Sequence, residues 1–231
     1  MKSNLITGNK GFVGSNLVEY FKNQNKIIQG ISRYPLHNEI SYEDLDEEII
    51  NNSNCFIHLA GKAHDLKNIS NDVEYYDINT ELTKKLFDKF LKSTCEVFIF
   101  MSSIKAVTDS SENPITENIN ANPITIYGKS KLAAENYILS KEIPKSKRVY
   151  ILRPCIIHGP HNKGNLNLLY SFVSKGFPYP FGKYENKRSF LSVENLCFVI
   201  NELIDNPSIE SGIYNISDDA AISTNDLVKL I

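Results

Sequence analysis

Tyr127 and Lys131 are the residues of this chain best suited to acid and base chemistry. They stand four positions apart on a predicted helix, so both side chains project from one face. A free tyrosine has a pKa near ~10, and a nearby ammonium lowers that pKa by favouring the phenolate. We therefore expect Lys131 to lower the pKa of Tyr127, which could then exchange protons near neutral pH.

Ser103 is the third member of this candidate catalytic set. The preceding run, 97–101, is apolar throughout and predicts a central parallel strand that ends at Ser102 and Ser103. A hydroxyl at that strand end could hold and orient the substrate oxygen that Tyr127 protonates or deprotonates. Because Tyr-x-x-x-Lys alone is common on solvated helices, this assignment depends on a cofactor-binding motif elsewhere in the chain.

Three glycines near the start of the chain predict that motif. Gly8, Gly11 and Gly14 separate a short apolar run from residues with helical spacing, which is typical of a strand, a tight turn and a helix. Gly8 allows the turn, Gly11 removes a side chain where a phosphate approaches, and Gly14 lets the helix pack on the strand. The helix N-terminus then favours a pyrophosphate, although a turn can also use glycine for its backbone alone.

The end of the second predicted strand, 26–31, bears on which dinucleotide is bound. In dinucleotide-binding folds an acidic residue here binds the adenosine ribose, whereas an arginine suits a 2′-phosphate. Ser32 and Arg33 follow the strand and no acid does. Arg33 therefore favours NADP, with NAD as the alternative, unless it is simply a solvated loop residue.

The order of apolar and helical runs predicts an α/β fold, a doubly wound parallel sheet of the Rossmann type. Residues 1–155 are expected to form the dinucleotide-binding domain and residues 156–231 the substrate-binding portion. Helices are predicted at 72–92, from Asn122-Pro123 to about 139, at 168–175 and at 194–204, with a late strand at 212–216. Because a last helix has barely begun at Ile231, we expect the substrate lobe to be truncated.

Composition argues against several other classes of protein. The formal net charge is −2 and the pI is about 6.2, so we expect no nucleic-acid partner. No apolar run reaches the ~20 residues of a membrane span, and the first strand begins too early for a signal peptide, so a cytoplasmic protein is expected. His158 and His161 lack a third ligand nearby, and no metal site is expected.

Together these motifs resemble the extended short-chain dehydrogenases/reductases, the NAD-dependent epimerase/dehydratase family that acts on nucleotide sugars. The resemblance extends from Leu5 to about Asn215 and rests on Thr-Gly-x-x-Gly-Phe-x-Gly followed by the serine, tyrosine and lysine. It implies an adenine contact at Asp44-Leu45 and a fourth strand, ending His-Leu-Ala-Gly, that lies against the cofactor. The expected cofactor-binding residues are Thr7, Gly8, Gly11, Phe12, Val13, Gly14, Arg33, Asp44, Leu45, Leu59, Ala60, Gly61, Asn79, Tyr127, Lys131 and Pro154.

Further segments are similar to bacterial polysaccharide-pathway enzymes that act on UDP-sugars, especially the UDP-4-keto-6-deoxy-N-acetylhexosamine reductases. These segments are 101–105, 127–135, 152–160, Lys163-Gly164-Asn165 and 187–190. The resemblance implies a UDP-sugar substrate bound by Ser103, Tyr127, Asn165 and Arg188, the last being a fork donor suited to a diphosphate.

We expect reduction of the 4-keto sugar. The alternatives are a UDP-N-acetylhexosamine or UDP-hexose 4-epimerase and, in another class, a non-catalytic NADP-binding sensor. A homodimer is a further expectation about partners. Val107-Thr108 stand where the family has Tyr-Gly, which leaves the contacts to the sugar ring open.

Overall fold

The computed structural model describes residues 2–63, 72–162, 165–176 and 186–231. A π-helical turn, Asp77–Glu81, joins the helices Asp72–Tyr76 and Leu82–Lys92 into one continuous helix, and a 3-10 turn spans Ile104–Ala106. The strands are β1 Ser3–Thr7, β2 Ile28–Ile31, β3 Glu39–Ile40, β4 Ser53–His58, β5 Val97–Met101, β6 Arg148–Pro154, β7 Ile156–His158, β8 Phe190–Ser192 and β9 Gly212–Ile216. The helices are α1 Phe12–Asn23, α2 Glu47–Asn51, α3 Asp72–Tyr76, α4 Leu82–Lys92, α5 Ile126–Leu139, α6 Asn165–Val173, α7 Val193–Asp205 and α8 Thr224–Leu230.

Seven strands form one parallel sheet in the order β3-β2-β1-β4-β5-β6-β9. Successive residues of the central strands enter opposite cores, because side chains alternate across a sheet. One core contains α1 and α7, and the other contains α4 and α5. The predicted doubly wound α/β fold is therefore confirmed, and its sheet includes β9 from the 156–231 portion.

The parallel arrangement places the carboxyl ends of the central strands at one edge of the sheet. β1 ends at Thr7, β4 at His58, β5 at Met101 and β6 at Pro154, and register pairs Thr7 with His58 and Met101 with Leu152. The glycine turn, the segment after β4 and the serines after β5 consequently border the same space.

The start of α5 differs from its predicted position. The helix begins at Ile126, capped by Thr125, whose hydroxyl accepts a hydrogen bond from the Gly128 amide at 3.3 Å. Asp109 accepts from the Ile124 amide at 2.8 Å and the Thr125 amide at 3.0 Å. These bonds fix the residues before Ile126 as a loop, so Asn122-Pro123 does not open the helix.

Within the described ranges, no helix is both long and apolar enough to cross a membrane. In the same part of the chain, no group of three or more His, Cys, Asp or Glu side chains is placed to hold a metal ion.

The fully buried His58 connects β1 to α4 through side-chain hydrogen bonds. Thr83 donates to the carbonyl of Asn79 at 2.7 Å, so its oxygen accepts from Nε2–H of His58 at 2.9 Å. Nδ1 of His58 then accepts from the Thr7 hydroxyl at 2.7 Å, and Thr7 Oγ1 accepts from the amide of Ala60 at 3.1 Å. Each donor in this chain has one acceptor, which requires neutral histidine.

His58 should make the fold sensitive to acid. Burial, with the nearby Lys131 charge, lowers the pKa of His58 from 6.5 to about 3. Between those values the unfolded chain binds a proton that the folded chain does not, so folding free energy is lost as pH falls. His58→Asn should be less stable at neutral pH, and its free energy of unfolding should change less steeply between pH 6 and 4, by about 1.4 kcal/mol per pH unit. Denaturant unfolding at several pH values measures this, and equal slopes for the two proteins would contradict it.

Candidate active site

A groove of about 1830 Å³ follows the carboxyl edge of the main sheet. It contains residues from the glycine turn, from the ends of β2, β4, β5 and β6, and from α5. The predicted site residues that line it are Gly8, Gly11, Phe12, Val13, Gly14, Arg33, Leu59, Ala60, Gly61, Ser103, Tyr127, Lys131, Pro154 and Arg188.

The glycine turn requires its glycines for backbone packing. Gly8 has φ of +71°, and a Cβ there would lie 2.8 Å from the amide nitrogen of Ala60. A Cβ on Gly14 would lie 2.1 Å from the carbonyl oxygen of Gly8. Gly11 is the N-cap of α1 and provides no side-chain cap, so the first amides of the helix remain available to an anion. This part of the groove fits a dinucleotide pyrophosphate.

Ser103 and Tyr127, which the sequence predicted to converge as catalytic residues, both line the groove. The Ser103 hydroxyl lies beside the phenol of Tyr127 and lowers the pKa of that phenol. Burial has the larger effect and raises the Tyr127 pKa above its ordinary value, and Tyr75 raises it further. In this geometry Tyr127 holds its proton at neutral pH.

The position of Lys131 corrects the expectation that it lowers the pKa of Tyr127. Its Nζ donates to the carbonyl of Met101 at 2.7 Å and lies 4.9 Å from the centre of the Phe100 ring. Lys131 is itself only 3 % exposed, and burial lowers its pKa to about 8 despite the opposing effect of Glu135. The ammonium is therefore directed at the end of β5, and a spacing of four on a helix did not determine which neighbour it would contact.

Asn79 lies in the π-helical turn and holds the segment after β4. It is fully buried; its Oδ1 accepts from the Lys62 amide at 2.7 Å, and its Nδ2 donates to the Lys62 carbonyl at 3.0 Å. Nδ2 also donates to the Ser130 hydroxyl at 2.9 Å, which in turn donates to the carbonyl of Tyr127 at 2.9 Å. Asn79 thus positions the backbone on both sides of the groove without lining it, and Thr7 is likewise buried outside the groove wall.

At the adenosine end the groove is lined by Arg33, Tyr42 and Glu43. Asp44 and Leu45, expected there from the resemblance, do not line it. Leu45 is fully buried in the core between the sheet and α4, and the Asp44 carboxylate accepts from the Ser41 hydroxyl at 2.7 Å. Leu45 therefore packs in the core and Asp44 bonds within its own turn, so neither side chain faces the groove.

At the opposite end, Arg188 is exposed and lines the groove. Its backbone is fixed by two hydrogen bonds of 3.0 Å to Ile222. Asn165 is the first residue of α6, but its side chain lies outside the described part of the chain, as do Lys163 and Gly164. Of the two residues predicted to bind the diphosphate, the structure describes the side chain of Arg188, and this residue lines the groove.

Sequence reasoning missed a buried ion pair below the catalytic residues. Arg153 of β6 donates from Nε to Glu135 at 3.0 Å and from Nη2 at 2.5 Å, and the Ser102 hydroxyl donates to the same carboxylate. Glu135 is 0 % exposed and Arg153 is 4 % exposed. Because Arg153 lies on β6 and Glu135 on α5, no local spacing in the sequence indicates this ion pair.

Comparison with known proteins gives consistent results. Residues 4–217 match the NAD dependent epimerase/dehydratase family. A UDP-glucose 4-epimerase of Vibrio cholerae is 33% identical over 99% of this chain and 74% of its own length. An N-acetyl-alpha-D-glucosaminyl-diphospho-ditrans,octacis-undecaprenol 4-epimerase of Escherichia coli O157:H7 is 28% identical over 97% of this chain and 70% of its own.

A solved structure has the same fold. MoeE5 in complex with UDP-glucose and NAD superposes with a TM-score of 0.81 at 23% identity, covering 99% of this chain and 80% of MoeE5. The glycine turn, the paired Ser103 and Tyr127, the seven-stranded sheet and the family match over 4–217 lead to one conclusion. The chain belongs to the NAD-dependent epimerase/dehydratase family, within the extended short-chain dehydrogenases/reductases.

Proposed function

We propose that this protein inverts C4 of a UDP-hexose or UDP-N-acetylhexosamine, as a nucleotide-sugar 4-epimerase. The observation that carries the proposal is that Ser103 and Tyr127 lie together in the groove that also contains the glycine turn. The relatives in Vibrio cholerae and Escherichia coli O157:H7 are both named 4-epimerases, which supports this reaction over others of the family.

The proposed chemistry assigns one task to each side chain. A bound nicotinamide supplies the acceptor and donor of the hydride at C4. In its phenolate form Tyr127 takes the C4 hydroxyl proton as that hydride leaves carbon, and returns a proton to the oxygen when the hydride is restored to the other face. Because burial favours the protonated phenol, this step requires a positive charge beside Tyr127 once cofactor and substrate are bound. Ser103 holds the same oxygen. Lys131 lines the groove one helical turn along α5, and its Nζ, held by the Met101 carbonyl, contributes positive charge to the site.

Arg188 and the exposed end of the groove are proposed to bind the UDP part of the substrate. A guanidinium donates two parallel hydrogen bonds to a diphosphate, which fixes the nucleotide. The sugar must then be free to present either face of C4 to the nicotinamide. Asn165 remains a predicted second contact.

A second candidate is reduction of a UDP-4-keto-6-deoxy-N-acetylhexosamine, the reaction favoured by the sequence. It uses the same serine, tyrosine and lysine. Arg33 supports it, because an arginine at the adenosine end suits NADPH, the usual cellular reductant. The comparisons name 4-epimerases, so reduction stays a prediction.

The two reactions differ in what happens to the cofactor. We expect purified protein with UDP-N-acetylglucosamine or UDP-glucose to form the C4 epimer without net consumption of reduced cofactor, measured by chromatography and nicotinamide absorbance. Stoichiometric NADPH oxidation with a UDP-4-keto sugar, and no epimer from either UDP-sugar, would replace epimerisation with reduction.

Tyr127→Phe should abolish turnover and leave cofactor affinity nearly unchanged, because only the proton-transfer group is lost. Loss of a general acid or base typically costs about 10²–10⁴-fold in rate. Thr125→Ser, which keeps the α5 cap beside the site, is the matched control. Turnover in Tyr127→Phe equal to that of Thr125→Ser would remove Tyr127 from its proposed role.

Arg33→Ala should weaken NADPH binding more than NADH binding. Arg33 is exposed in the groove and makes no ion pair within the part of the chain that the structure describes, so its charge is available to a 2′-phosphate. A charge-assisted hydrogen bond contributes on the order of 1.5–3 kcal/mol, or roughly tenfold or more in affinity. An equal loss of affinity for both cofactors in a fluorescence titration would show that Arg33 does not bind the 2′-phosphate.

A further inference from the structure

The carboxylate of Glu39, on β3, accepts hydrogen bonds from the segments that surround the adenosine end of the groove. Its Oε1 accepts from Asn9 Nδ2 at 2.7 Å, and its Oε2 accepts from Lys10 Nζ at 2.7 Å and from the Leu36 amide at 2.9 Å. The Ser32 hydroxyl donates to Oε2 at 3.3 Å. These four donors come from the glycine turn, the end of β2 and the crossover to β3.

The backbone of β2 leaves room for the hydrogen bond between Asn9 and Glu39. Gly30 of β2 pairs with Glu39 in the sheet register, and a Cβ on Gly30 would lie 2.6 Å from Asn9 Nδ2. The glycine therefore leaves room for the Asn9 amide to reach the carboxylate. Glu39 thus stands behind the end of β2, where Ser32 and Arg33 supply no acid.

Glu39 does not bind the ribose in this arrangement. A carboxylate accepts about four hydrogen bonds, and four donors already surround this one. Its side chain is only 10% exposed and is absent from the described groove wall. The hydrogen bonds from Lys10, Leu36 and Asn9 outweigh burial and lower its pKa to about 2, so it is charged at all physiological pH values.

Two cations of the groove wall, Lys10 and Arg33, flank the end of β2 and differ in their partners. Lys10 is 45% exposed yet held by Glu39 and by the carbonyl of Tyr34 at 3.2 Å. Arg33 has no ion pair among the residues described. We propose that Glu39 is a specificity-determining residue that restrains Lys10 and offsets its charge, which limits the preference of this groove for a 2′-phosphate and preserves its use of NAD.

This inference rests on the proposed cofactor site and makes two opposite predictions. Glu39→Gln keeps the size and the acceptor for Asn9 but releases the Lys10 ammonium, so the ratio of NADPH to NADH affinity should rise by about fivefold. Lys10→Met removes the cation and leaves Glu39 uncompensated, so the same ratio should fall. Both ratios come from calorimetric or fluorescence titration, without turnover.

Asp205→Asn is the matched control, because Asp205 forms an ion pair of the same length, 2.7 Å, with Lys26 at the other end of β2. Its affinity ratio should equal that of the parent protein. A purely structural role for Glu39 would weaken both cofactors equally and leave the ratio unchanged, which would overturn the inference. If Glu39→Gln does not fold, a ratio in Lys10→Met that is unchanged or raised would overturn it. Failure of the parent to bind either cofactor would instead reject the cofactor site itself.

Discussion

A continuous path of buried hydrogen bonds fixes the distance between the glycine turn and the catalytic helix, and the rest of the site depends on it. The path passes from β1 and β4 into the helix α3–α4 and across to α5, so these elements are held together. Neutral His58 is its central member, since protonation would leave the Thr7 hydroxyl without an acceptor. Its members, in order, are Thr7, His58, Thr83, Asn79, Ser130 and Tyr127.

A second group of buried polar residues, this one charged, lies near Ser103 and Tyr127. Lys131, Glu135 and Arg153 lie between α5 and the ends of β5 and β6, where removing one partner would leave another uncompensated. The Glu135 carboxylate raises the pKa of Lys131 against the effect of burial, so it helps to keep the ammonium charged near neutral pH. That positive charge lies at the end of β5, on the Met101 carbonyl, and not on the Tyr127 phenol.

Sequence patterns predicted the elements whose signal is local. The glycine turn, the apolar strand β5 and the late strand β9 stand as expected, because each follows from spacing within a few residues. The direction of Lys131, the burial of Leu45 and the approach of Glu39 to Lys10 depend on contacts between distant segments. Residues 34–54 are polar and acidic, and their sequence indicated no strand, so β3, which carries Glu39, was not predicted.

The central claim is that the Ser103–Tyr127 pair drives reversible oxidation at C4 by a cofactor that stays in the groove. Rapid mixing of UDP-N-acetylglucosamine or UDP-glucose with protein loaded with oxidised cofactor tests it, with nicotinamide absorbance followed in time. The account predicts a transient rise in the reduced form that precedes the C4 epimer and is missing in Tyr127→Phe. Epimer formation with no reduced nicotinamide, or an equal transient in Tyr127→Phe, would contradict it.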